Sequence, residues 1–100
     1  MRFNPMTEAL PIEVQLQAEK ATALRRVGQK LDELIAELTA TGRELPRLSG
    51  PARVRLVARH KALRAEAEHQ RWCLIVQREA MGQFNHSDVY ALYPIPPAVE

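Results

Sequence analysis

Val14, Ala18, Ala21, Leu24, Gly28, Leu31, Ile35 and Leu38 recur at three- and four-residue steps, the spacing that lines one face of a helix. Pro11 suits the start of that helix, since proline lacks the amide hydrogen that would be unpaired in a first turn. Gly42 can take the left-handed conformation that closes one, so the pattern predicts a helix over 11–41. Ile12, Val14, Leu16 and Ala18 also alternate with polar neighbours as in a half-buried strand. That run is short, no partner strand follows, and it competes with helix only at the beginning.

Residues 42–50 read Gly-Arg-Glu-Leu-Pro-Arg-Leu-Ser-Gly, a connection marked by Pro46 and its two bounding glycines. Ser49 or Gly50 can cap a second helix and Pro51 falls in its first turn. That helix is predicted over 51–81. Its stripe includes Val54, Ala58, Ala62, Ala65, Trp72 and Val76, with Leu56, Leu63, Ala67, Leu74 and Met81 beside it. The segment from Trp72 to Gly82 holds the single tryptophan and the densest apolar run.

Two helices of similar length with a short link are expected to fold back as an antiparallel hairpin. Their apolar faces are wider than one seam, so the expected fold is all-α, the hairpin pairing with a second copy as a four-helix bundle dimer of coiled-coil character. Beyond Gly82, Asn85 and Asp88 resemble a capping box for a short helix over 86–93. Pro94, Pro96 and Pro97 then impose an extended tail over 94–100. Tyr93 and Ile95 are expected to anchor it, although the stretch from Tyr90 to Pro97 also suits a proline-recognising groove. Residues 1–10 read as a flexible arm on a single domain spanning 11–97.

Composition sharpens this in three respects. Aromatic residues make up 5% of the chain while alanine and leucine supply most of the 46% that is hydrophobic, a mixture that favours helices over sheets. Fourteen basic and twelve acidic residues leave a formal charge of +2, too small to argue for nucleic acid on its own. Cys73 is the only cysteine, which excludes an intramolecular disulfide, and neither a signal-peptide core nor a membrane-spanning run is visible. A soluble, cytoplasmic protein without a membrane partner is expected.

Arg43, Arg47, Arg53, Arg55, Arg59, Lys61 and Arg64 face one acid, Glu44, over residues 43–64. Cations at a helix start oppose its dipole, so they should pair with Asp32, Glu33 and Glu37 of the first helix or attract a phosphate-bearing partner. Glu66 and His69 have the Glu-x-x-His spacing of bundle metal sites, with Cys73 one turn further. Arg25 and Arg26, level with Glu66 and Glu68 in a hairpin, would instead form salt bridges and repel a metal. The apolar residues after Cys73 suggest a packed thiol rather than a nucleophile. Gln77, Arg78 and Glu79 interrupt the apolar run and either pair internally, Arg78 with Glu19, or read a partner.

Glu19 to Leu24 with Gly28, and Trp72, Val76 to Glu79, Gly82, His86, Tyr93, Ile95 and Pro96, resemble an uncharacterised bacterial family of short helical proteins. The resemblance covers most of both helices and the tail. It implies that the tail belongs to the domain and implies nothing about a substrate. Members of that family often continue past the Ile-Pro step, whereas this sequence ends at Glu100.

Together these features predict a non-enzymatic protein-interaction module or small adaptor, a homodimer with a possible further protein partner and no cofactor. One alternative is a nucleic-acid-associated regulator using Arg53, Arg55, Arg59, Lys61 and Arg64. Another is a metal-binding bundle using Glu66, His69 and Cys73.

Overall fold

A computed structural model describes residues 11–99, so the expected arm over 1–10 lies outside the described residues. All regular structure among the described residues is helical: α1 (Ile12–Glu44), a 3-10 turn (Leu45–Arg47), α2 (Gly50–Ala80) and α3 (Ser87–Leu92). The two long helices pack against each other.

Helix α1 begins after Pro11, whose carbonyl accepts from the amides of Val14 and Gln15. It does not stop at Gly42. The helix continues to Glu44 and closes when Leu45 N–H donates to the Thr41 carbonyl, because Leu45 is itself buried and gains more by joining the core than by turning away. Thr41 is buried too, and its hydroxyl is satisfied by the Leu38 carbonyl at 3.0 Å.

Ser49 occupies the N-cap of α2 without a side-chain capping bond. The Arg53 guanidinium, donating to the Leu45 carbonyl at 2.8 Å, ties that end to the turn instead. The other end closes as a Schellman motif. Gly82 takes φ +84° while Gln83 N–H reaches the Arg78 carbonyl and Gly82 N–H that of Glu79, each at 3.0 Å.

The core joins Leu31, Leu34 and Leu38 of α1 to Leu63, Ala67 and Leu74 of α2 and Val89 of α3. Burying each leucine is worth roughly 1.5–3 kcal/mol. Leu24, Val27, Ile75, Tyr93 and Ile95 pack around this cluster, so the tail does dock.

The broad apolar face of α2 divides. Leu63, Ala67 and Leu74 turn inward with Leu56 and Met81 half-buried, whereas Val54, Ala58, Ala62, Ala65, Trp72 and Val76 are all exposed. These two groups sit about half a turn apart at about 100° per residue, so one neighbouring helix cannot cover both. On α1 the inward positions are Gly28, Leu31, Leu34, Leu38 and Thr41, while Val14 and Ala18 are exposed and Ile35 is half-buried.

Candidate interaction surface

The exposed stripe of α2 is anchored by three large side chains, Val54 (69% exposed), Trp72 (61%) and Val76 (42%). Between them lie only the methyl groups of Ala58, Ala62 and Ala65 and the polar Lys61, Glu68 and His69 at the edges. His69 stacks on Trp72 with ring centroids 6.1 Å apart, and its Nε2 stands 3.6 Å from the Cys73 sulfur. The thiol is half-buried rather than packed away. Ala98 and Val99 of the tail border a groove of about 360 Å³ with His60, Lys61, Arg64, Ala65 and Glu68, so the tail runs along one flank of the stripe at its middle.

The basic residues divide between internal work and solvent. Arg59 meets Glu37 across the two helices at 2.8 Å, one of the pairs expected from the charge pattern, in an exposed geometry worth under about 1 kcal/mol. Arg64 donates to the Pro96 carbonyl at 2.8 Å and pairs with Glu68 at 2.6 Å. Arg53 is committed to Leu45. Arg43, Arg47, Arg55 and Lys61 make no such contact among the described residues and are exposed.

Glu66 accepts from Gln70 at 3.0 Å and Arg25 donates to the Thr22 hydroxyl at 3.4 Å. The expected pairing of Arg25 and Arg26 with Glu66 and Glu68 therefore gives way to contacts within each helix. No group of three His, Cys, Asp or Glu side chains able to hold a metal converges among the described residues. His60, on the opposite side of α2 from His69, is 1% exposed with an unpartnered Nδ1.

Gln77, Arg78 and Glu79 turn toward the segment after Gly82. The Arg78 guanidinium binds Asp88 through both carboxylate oxygens, at 2.8 and 3.1 Å, and also reaches Gln83 Oε1 and the Asn85 carbonyl. This replaces the expected pair with Glu19. The Arg78 guanidinium beside Asp88 holds that carboxyl below its ordinary value. Glu79 meets His86 Nε2 at 3.2 Å, while Gln77 Oε1 is buried without a partner. Asn85 accepts from the Ser87 amide and hydroxyl, so the anticipated Asn85–Asp88 capping box does not form. The sequence carried no signal for these choices, because Arg78 has acids within reach in both directions.

Arg71 fixes the tail further along. It donates to the Tyr93 carbonyl at 3.1 Å and lies 4.7 Å from the Tyr90 ring centroid. The structure thus holds Tyr93 and Ile95 against the helices, while Tyr90 and Leu92 are exposed.

No family model matches the chain, and no curated protein or solved structure is significantly similar to it. No described helix is long and apolar enough to cross a membrane.

Proposed function

We propose that this chain is a non-enzymatic interaction module, an antiparallel helical hairpin that pairs with a second copy into a four-helix bundle in the cytoplasm and acts through protein contacts. The observation that carries this reading is the exposed stripe Val54, Ala58, Ala62, Ala65, Trp72 and Val76, a helix face opposite the core. Large exposed apolar side chains aligned along one face mark an association surface, where scattered ones do not. Covering a valine or tryptophan of this kind is worth roughly 1.5–3 kcal/mol, so six from two copies can outweigh the cost of association. The antiparallel course rests on the short connection and on the Glu37–Arg59 pair close to it.

Sedimentation velocity of the full chain tests the assembly. A dimer at micromolar concentration is expected, and a monomer throughout that range overturns the reading.

A second reading, a nucleic-acid-associated regulator, draws on Arg43, Arg47, Arg55 and Lys61, which have no internal partner among the described residues. It loses Arg53, Arg59 and Arg64 to internal contacts. Binding in a gel shift that weakens steeply with salt would favour it.

A further inference from the structure

The outer stripe of α2 ends in a valine on each side, at equal distance from Ala65 in its middle. Val54 and Val76 stand eleven positions before and after Ala65, Ala58 and Trp72 seven, and Lys61 and His69 four. At about 100° per residue these seven side chains share a sector roughly 80° wide. All of them are exposed.

We propose that a second copy of this chain docks antiparallel on this face, in the register that places Ala65 on the two-fold axis. This rests on the dimeric reading above and adds to it the face, the direction and the register. Two identical helices laid this way meet in layers: Ala65 on its own counterpart, Ala62 level with Glu68 of the partner subunit, Trp72 on Ala58 of the partner subunit, and Val54 on Val76 of the partner subunit. Ala58, Ala62 and Ala65 let the backbones approach closely at the centre. The bulky indole sits opposite a methyl group at each end.

Charge selects the same arrangement. Lys61 and Glu68 lie on one flank of the stripe, and in this register each faces the other's counterpart, one position out of level. A parallel, in-register pair would carry the Lys61–Glu68 flank to opposite sides of the seam in the two copies, losing this pairing, and would crowd indole against indole. Opposite charges across a symmetric interface fix its register and direction. Glu68 is half-exposed while it pairs with Arg64, leaving carboxylate surface on that flank.

Cross-linking reads the register. On a Cys73→Ser background, a tagged Val54→Cys chain is mixed with an untagged Val76→Cys chain and treated with a short bis-maleimide. Linkage between the two kinds of chain is expected. Linkage only within each kind marks a parallel pair and overturns the proposal, as does a sedimenting dimer that gives no linkage. In both cases dimerisation itself survives. A protein that sediments only as a monomer overturns dimer and register together.

Charge variants supply an independent reading. Lys61→Glu should weaken self-association about tenfold, since two like-charged pairs replace two attractive ones. Adding Glu68→Lys to it should recover association to within about threefold. A double variant as weak as the single one overturns the register. Trp72→Ala, at an exposed position, should keep its helical circular dichroism and associate at least about 100-fold more weakly. Unchanged association of that variant also overturns the proposal.

Discussion

The hydroxyl oxygen of Tyr93 occupies the space that a side chain on Gly28 would need, 2.8 Å from where a Cβ at that position would lie. A glycine inside a helix costs about 0.5–1 kcal/mol relative to alanine. Here it admits the ring that seats the tail on α1. Gly28→Ala should therefore destabilise the protein by about 1–2 kcal/mol through overpacking. In a Tyr93→Phe background the nearest remaining ring atom is 3.7 Å from the added carbon, an ordinary contact. The same substitution should there stabilise by about 0.5–1 kcal/mol. Urea denaturation of the four proteins checks this, and an effect of the same sign in both backgrounds contradicts the account.

Acid should loosen the junction after α2. The Asp88 carboxyl is held below its ordinary value of 3.8, first by its hydrogen bonds from Arg78. A depressed folded-state value means the contribution is complete above the unfolded value and disappears as pH falls through the folded one. Asp88→Asn should accordingly be less stable than the parent at neutral pH. The gap should close as pH falls below 3.8, which denaturation midpoints at several pH values will show.

Arg71 binds two points of the C-terminal segment, the Tyr93 carbonyl and the Tyr90 ring. Arg71→Ala removes a charge-assisted hydrogen bond and a cation–π contact, together about 2 kcal/mol. Amide hydrogen exchange should accelerate at Val89 to Tyr93, with protection at Leu31 to Leu38 kept. Equal acceleration at both would mean that the tail and the helix pair open as one unit.

His60 carries a buried nitrogen with no partner. Replacing it by leucine removes an unsatisfied polar atom from a buried position at the floor of the groove, and such exchanges are neutral to stabilising. His60→Leu should raise stability by up to about 1 kcal/mol. A loss of more than about 1 kcal/mol in urea denaturation would indicate that the imidazole has a packing role leucine cannot fill.

The two long helices were legible in the sequence because their apolar spacing is regular and a proline marks the start of each. Their inward faces were harder to read. On α2, Leu56, Leu63, Ala67 and Leu74 form one periodic set, and Val54, Ala58, Ala65, Trp72 and Val76 form another half a turn away. Periodicity alone ranks these equally, and the tryptophan pulls the reading to the outer set. What decides is the partner: Leu31, Leu34 and Leu38 can engage only one side. Gly42 misled for a related reason. A glycine permits a stop without requiring one, and Leu45 carries the helix onward into the core. The charges around Arg78 were least legible, since Glu19 and Asp88 suit a guanidinium equally and only the turn at Gly82 brings Asp88 within reach.

Arg71 and Arg64 stand seven positions apart on α2, and the carbonyls they hold, on Tyr93 and Pro96, are three positions apart on the tail. Seven steps of helix advance about 10 Å, and three steps of extended chain cover nearly the same length. The two segments are thus commensurate, like matched rulers laid in opposite directions. Because main-chain oxygens are the marks being read, the two arginines constrain the count of residues between them, while the core alone constrains the identity of Ile95. Inserting a single residue between Tyr93 and Pro96 would shift one mark by about 3 Å and leave an arginine facing the wrong division.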